Sequence, residues 1–301
     1  MQFYLPTLTI YGKIFHMKKK TKINKITKSD EPTAQLSLLD KLRPKLHIAT
    51  YSKDASPVAM EFDLGIELNH VCISEYLDSD KISQTIKFIE EDLKNAGQPF
   101  PYEEGARIIL HGPFTEIIPG SIDHRAVELG LERLEEAYGL CRVIGLNSMV
   151  VHSGYFPPMY YKDWHQEKSL IFWDRFLKGK DDFTVFVENS FEDEPYMMAR
   201  LADEFDRPNL KLCFDIGHAH VATTEDLPVE EWIRYLGSRV AHYHLHNNMG
   251  TKDTHSPLGE GTMDMKKILT AIDTYNKSDY TMTLESQDCR LCVEWLKNNT
   301  L

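Results

Sequence analysis

The run "VAHYHLH", Val240–His246, leads directly into "NNMGTKDTHSPLGEG", Asn247–Gly261. It begins apolar and sets His242, His244 and His246 at alternate positions. Alternate residues of a strand point the same way, so the three share a side but are staggered along it and cannot all reach one ion. An apolar run with polar groups gathered toward its carboxyl end is what a strand of a parallel sheet requires when both faces are buried. The same form recurs in "KLHIAT" from Lys45, "LGIELN" from Leu64, "RIILHG" from Arg107 and "SMVVHSG" from Ser148. It recurs again in "TVFVENS" from Thr184, "LKLCFDIG" from Leu210 and "YTMTLES" from Tyr280.

Between these runs lie amphipathic stretches such as "SDKISQTIKFIEEDLKNAG" and "HRAVELGLERLEEAYGLC", with apolar residues at three- and four-residue spacing. The first connection is short and predicts a helix of a turn or two. Alternating strands and helices specify a parallel α/β architecture, and eight such units close into a single (β/α)8 barrel over residues 45–301. A chain of 301 residues with 42% apolar and 27% charged residues suits one large core. Residues 1–44 read differently: apolar-aromatic "MQFYLPTLTIYGKIF" precedes basic "MKKKTKINKITKSDEP". That order is the reverse of a secretory signal, and the segment is expected to be a mobile extension. The net charge of -12 disfavours a long nucleic acid or an anionic membrane as partner, and no apolar run approaches a membrane span. Five scattered cysteines read as reduced thiols of a cytoplasmic protein, with "CRLC", Cys289–Cys292, as a structural pair.

The strand ends carry the chemistry. His111 ends the third, His152 the fourth, Glu188 the fifth, Asp215 with His218 the sixth, His244 with His246 the seventh, and Glu285 the eighth. A closed barrel brings these ends to one face. Histidine and carboxylate together are the ligand set of Zn2+, Mn2+ and related ions, and a cation removes the repulsion among clustered carboxylates. Glu188, Asp215, His244 and Glu285 are therefore expected to hold one divalent metal. His242, a layer deeper, reads as structural, and His246 as a group beside the metal or the substrate. Asp253 and His255, in the loop closed by "PLGEG", can complete a further site with His218.

In "VVHSG", "FVENSF", "CFDIGHAH", "YHLHNNMGTKDTHSPLGEGTMD" and "LESQ" the chain resembles the xylose-isomerase-like barrels, from about Lys45 to its end. That superfamily holds sugar and sugar-phosphate isomerases and epimerases together with apurinic endonucleases of the endonuclease IV type. The resemblance implies a metal on Glu188, Asp215, His244 and Glu285. It adds two further metal positions from the endonuclease branch, at His111 and His152 beside a bridging Glu188, and at His218, Asp253 and His255. One to three ions of Zn2+ or Mn2+ are thus implied. "HSGYF", "HLHNN" and "DIGHAH" are similar to the isomerase branch, which usually has Asp where Asn247 stands.

The resemblance implies an isomerase or epimerase acting on a small sugar or sugar phosphate. Proton transfer by Glu188 and Glu285 would pass through a metal-stabilised enediolate. His246, Asn189, Asn247, Tyr155 and Trp164 are candidates for substrate contact, the last two as part of an aromatic loop wall. The alternative is a multi-zinc phosphodiesterase, for which the acidic or mixed loops lack the expected basic grip. A further alternative is a sugar- or metal-binding barrel without turnover. Such barrels often pair, which leaves a homo-oligomer open.

Overall fold

The computed structural model describes residues 36–223 and 226–301. All eight expected runs are strands: β1 Leu46–Ala49, β2 Gly65–Leu68, β3 Ile108–His111, β4 Ser148–His152, β5 Thr184–Glu188, β6 Leu210–Asp215, β7 Val240–Leu245 and β8 Thr281–Leu284. Every neighbouring pair is parallel, and β1 pairs with β8, which closes the barrel in chain order. Each strand is slightly shorter than the apolar run that announces it, because pairing stops where the chain turns toward the next helix.

The helices are α1 Leu38–Leu42, α2 Ala55–Phe62, α3 Ile82–Asn95, α4 His124–Ile144, α5 Lys162–Leu177, α6 Tyr196–Glu204, α7 Ile216–Ala222, α8 Val229–Leu236, α9 Met265–Tyr275 and α10 Cys289–Lys297. As the short first connection predicts, α2 is only 8 residues long. The main core lies between the barrel and the helices, with Trp173, Trp232, Phe172 and Phe176 fully enclosed. Trp232 of α8 stacks on Phe214 of β6 at 5.6 Å. Each such side chain contributes about 1.5–3 kcal/mol by leaving water. None of the described helices is long and apolar enough to cross a membrane.

The expected extension falls partly outside the described residues, which begin at 36. Residues 38–45, which straddle the end of that segment, are helix α1 and a 3-10 turn, and Leu38, Leu39 and Leu42 are buried in the main core. The boundary expected at residue 44 therefore needs correction for these residues. The neighbouring lysine-rich run masks "LLDKL", a short amphipathic turn whose leucines have somewhere to go only once α10 is in place.

One junction positions much of the site. β6 passes into α7 without a loop, and the Asp215 side chain accepts the backbone N–H of His218 at 2.6 Å as the helix N-cap. The same carboxylate that ends the strand thus fixes His218 one turn further on. Asn189, at the end of β5, locks the junction from the side: its amide donates to Asp215 O and accepts from Asp215 N, both at 2.9 Å.

Candidate metal centre

Glu188, Asp215, His244 and Glu285 present donor atoms that all lie within 4.8 Å of one another, and all are buried. His244 Nδ1 is the hub, 3.2 Å from Glu188 Oε1, 3.3 Å from Glu285 Oε2 and 3.8 Å from Asp215 Oδ2. His111 Nε2 and His152 Nε2 face the other oxygen of Glu188, at 3.2 and 3.5 Å. His218, Asp253 and His255 also converge: Asp253 Oδ2 is 3.2 Å from His218 Nε2 and 2.9 Å from His255 Nε2. His246 joins this last group, with its ring stacked on His255 at 4.0 Å and its Nε2 3.1 Å from both oxygens of Asp215. His255 takes a left-handed backbone, φ 46°, an uncommon conformation for a residue with a side chain, and Tyr51 holds its Nδ1 at 2.7 Å.

The donor set fits a divalent cation. Glu188 Oε1 and His244 Nδ1 are buried without a hydrogen-bond partner, an arrangement that costs about 1–3 kcal/mol per atom unless a ligand uses them. Three carboxylates with imidazole suit Zn2+ or Mn2+.

The charges are compensated internally. Burial works to raise the Glu188 carboxyl, but the charges of His244 and His152 and the hydrogen bond of His111 outweigh it and hold the group well below the carboxylate range. Burial likewise works against ionised Asp215, and the nearby His218 and His246 bring it down to about 2. His218 is opposed by burial and yet raised well above 6.5, chiefly by Asp215 and Asp253. Burial pushes His152 down to about 4, against the pull of Glu188. The metal-free mouth is thus held together by imidazolium–carboxylate pairs.

Above the cluster opens a cavity of about 550 Å³, lined by His111, His152, His218, Asp253, His255 and Glu285 together with Tyr51, Tyr76, Ile73, Cys72 and Phe114. A second lobe of about 560 Å³ shares Phe114, His152, His218 and Asp253 with the first and is walled by Pro157, Phe191, Val221 and Ala222. Glu285 faces the first lobe, whereas Glu188 is enclosed by histidines and lines neither. The expected aromatic wall is elsewhere. Tyr155 is buried against His165, 5.1 Å ring to ring, and the Trp164 indole donates to Gly120 O at 2.8 Å. Neither lines the cavity; Phe114 does, stacked on His152 at 4.6 Å. Asn189 and Asn247 also serve backbone: Asn247 donates to Leu258 O and Met263 O and accepts from Asn248 N and Met263 N.

His242 is a layer below, bonded to Thr281 Oγ1 and Thr283 Oγ1 at 2.7 and 3.0 Å. Sequence reasoning missed its other neighbour, Glu67 of β2, which is fully buried and touches both His242 and His244. The signal was present as a lone acidic residue inside the apolar run "LGIELN". All five cysteines are free thiols, and Cys289 and Cys292 are buried in α10.

Fold and site together define a (β/α)8 barrel with a ring of histidine and carboxylate donors at its mouth. The chain belongs to the xylose isomerase-like TIM barrel family, whose model matches residues 77–298. It is 26% identical over 201 residues to the uncharacterized protein MJ1311 of Methanocaldococcus jannaschii, covering 62% of this chain and 67% of that one. Among solved structures it is similar to a D-tagatose 3-epimerase-like protein, with TM-score 0.63 and 22% identity, covering 83% of this chain and 93% of the other. It is also similar to the TTHB071 protein from Thermus thermophilus, in a structure soaked with ZnCl2, with TM-score 0.64 and 22% identity, covering 84% and 96%.

Proposed function

We propose that this protein is a divalent-metal-dependent sugar isomerase or epimerase. The observation that carries the reading is the convergence of Glu188, Asp215, His244 and Glu285 beneath a cavity of about 550 Å³ into which Glu285 projects. A similar structure described as D-tagatose 3-epimerase-like supports it. Glu188, Asp215, His244 and Glu285 would hold the metal, which supplies positive charge to adjacent hydroxyl and carbonyl oxygens as a neighbouring carbon loses its proton.

The chain's own groups do the rest. Glu285 is the carboxylate placed to take a proton from a substrate carbon, and Glu188, gripped by four histidines and lining neither lobe, anchors the metal set instead of serving as the second proton-transfer group the sequence suggested. Phe114, Tyr51 and Tyr76 cover the apolar face of a sugar and exclude water. No lysine or arginine is among the described residues lining either lobe, which favours a neutral sugar over one whose phosphate needs a cationic side chain.

A second reading draws on a specific observation, the donor groups His111–His152–Glu188 and His218–His246–Asp253–His255 beside the central one. Three ions there would suit phosphodiester cleavage. The lack of lysine and arginine among the described residues lining the cavity weighs against a nucleic-acid grip. Metal content per chain, with parallel assays on a ketose panel and on abasic-site duplex DNA, decides: ketose turnover is expected, and three zincs with strand cleavage would overturn the proposal.

A further inference from the structure

Glu67 stands on β2, one layer beneath the mouth, with no exposed surface. Among the described residues its ion-pair partners are His242 and His244 alone. Neither histidine's strand is adjacent to β2, since β8 and β1 intervene, so the contact crosses the barrel interior.

The two oxygens of Glu67 are used differently. Oε2 accepts from the Thr283 hydroxyl at 2.5 Å and meets His242 Nε2 at 3.1 Å, while Oε1 faces His244 Nε2 at 3.1 Å. An ionised carboxylate only accepts, so His242 donates to it from Nε2, and at 3.1 Å the complement of its second oxygen is a protonated His244 Nε2, the two atoms lying in ion-pair contact without hydrogen-bond alignment. His242 Nδ1 then accepts from the Thr281 hydroxyl at 2.7 Å. This leaves His244 Nδ1 as the nitrogen turned toward Glu188, Glu285 and Asp215. Cys213 flanks the same ring, but burial keeps its thiol protonated, and a thiol cannot substitute for a carboxylate acceptor.

We infer that Glu67 is a positioning residue: it fixes the proton of His244 on Nε2 and the orientation of its ring, so that Nδ1 is the metal-binding atom, and it raises the donor strength of that nitrogen. The Thr281–His242–Glu67 chain, with Thr283, holds the carboxylate in register. A carboxylate behind a ligating histidine typically changes metal affinity by 10- to 100-fold. The inference rests on the metal reading above, and its test separates the two.

The purified full chain, stripped with chelator, is titrated with Co2+ and followed by visible absorption, and thermal melts are recorded without metal. Glu67→Gln keeps an acceptor but not its charge and should weaken Co2+ binding roughly tenfold; Glu67→Ala should approach 100-fold. A purely structural role would lower the metal-free melting temperature and leave the dissociation constant of the folded protein unchanged, which would overturn the inference alone. Failure of the wild-type chain to take up Co2+ would overturn the metal reading and this inference with it. Wild-type protein loaded with Zn2+ and labelled with 15N-histidine gives a readout that needs no variant: metal-shifted Nδ1 with a retained Nε2–H on His244 is expected, and the opposite assignment would sink the idea.

Discussion

The mouth of the barrel and the layer two residues beneath it come from the same strands, yet they are chemically unlike. The mouth reads His111, His152, Glu188, Asp215, His244 and Glu285, all polar; two residues down, the same strands give Ile109, Val150, Phe186, Cys213, His242 and Thr283. Beneath β3 to β6 the lower layer is an apolar cluster. Beneath β7 and β8, and on β1 and β2, it is His242, Thr283, His47 and Glu67. A strand's two-residue period places both layers on the inner face, so pattern alone does not separate them. The polar half of the lower layer lies directly under His244. Within this lower layer the polar side chains gather on the side of His244, and the remainder is apolar.

The sharpest way to break this comparison is at the mouth. Glu285→Gln preserves shape and removes the carboxylate that lines the cavity, so kcat on the sugar identified by the panel should fall by about 10²–10⁴. An unchanged rate would mean that the mouth does not act through this carboxylate.

Two histidines, one from each layer, should also respond oppositely to pH in chelator-treated protein. Burial, reinforced by His242, pushes His47 in the lower layer down to about 4. The unfolded chain then binds a proton that the folded one refuses, so stability falls as pH drops from 6.5 toward 4, by about 3 kcal/mol at most. At the mouth burial opposes the charge on His255, but the Asp253 hydrogen bond and the nearby Glu285 raise it to about 9. That contribution is complete below 6.5 and is lost as pH rises through about 9. Urea midpoints across this range should show His47→Leu flattening the acid limb and His255→Gln the basic limb. Equal effects of both variants on one limb would dissolve the distinction.

How much of this was legible in the sequence follows from the same contrast. The mouth stood out because a restricted set of residue types recurs at strand ends, and a closed barrel makes recurrence into proximity. Glu67 did not, because its meaning lies in a partner 175 residues away, and a single acidic residue in "LGIELN" carries no period of its own. Tyr155 and Trp164 were misplaced for a related reason: an aromatic loop shows its composition but not which face packs, and His165 and Gly120 decide that in three dimensions. Leu38, Leu39 and Leu42 were hidden by the charge of their neighbours.

A smaller effect is expected where the mouth leans on backbone. A Cβ on Gly217 would lie 1.9 Å from His246 Cε1, so Gly217→Ala must displace the imidazole that holds Asp215. Overpacking of this kind costs about 1–3 kcal/mol. Metal affinity should fall with it, since Asp215 loses its orientation. If Co2+ binding persists unchanged while the melting temperature drops, His246 supports the fold and not the ligand.

Asn247 offers the finest distinction, because the branch of the family that the chain resembles usually has Asp there. In this structure the side chain works on the loop: Nδ2 donates to two carbonyls, Leu258 O and Met263 O, and Oδ1 accepts from Asn248 N and Met263 N. An aspartate would turn an acceptor toward those two carbonyls and lose both donations, at about 1–2 kcal/mol. A carboxylate so placed favours its protonated form, which restores a donor. The folded state then takes up a proton at higher pH than the unfolded one, and the deficit of Asn247→Asp relative to the wild type should shrink as pH falls. Urea midpoints of the two proteins at pH 8 and pH 5 test this, with Co2+ affinity expected to match in both. A gain in metal affinity from Asn247→Asp would instead place this side chain among the groups that organise the mouth, and the loop would have to be counted with the ligands and not with their support.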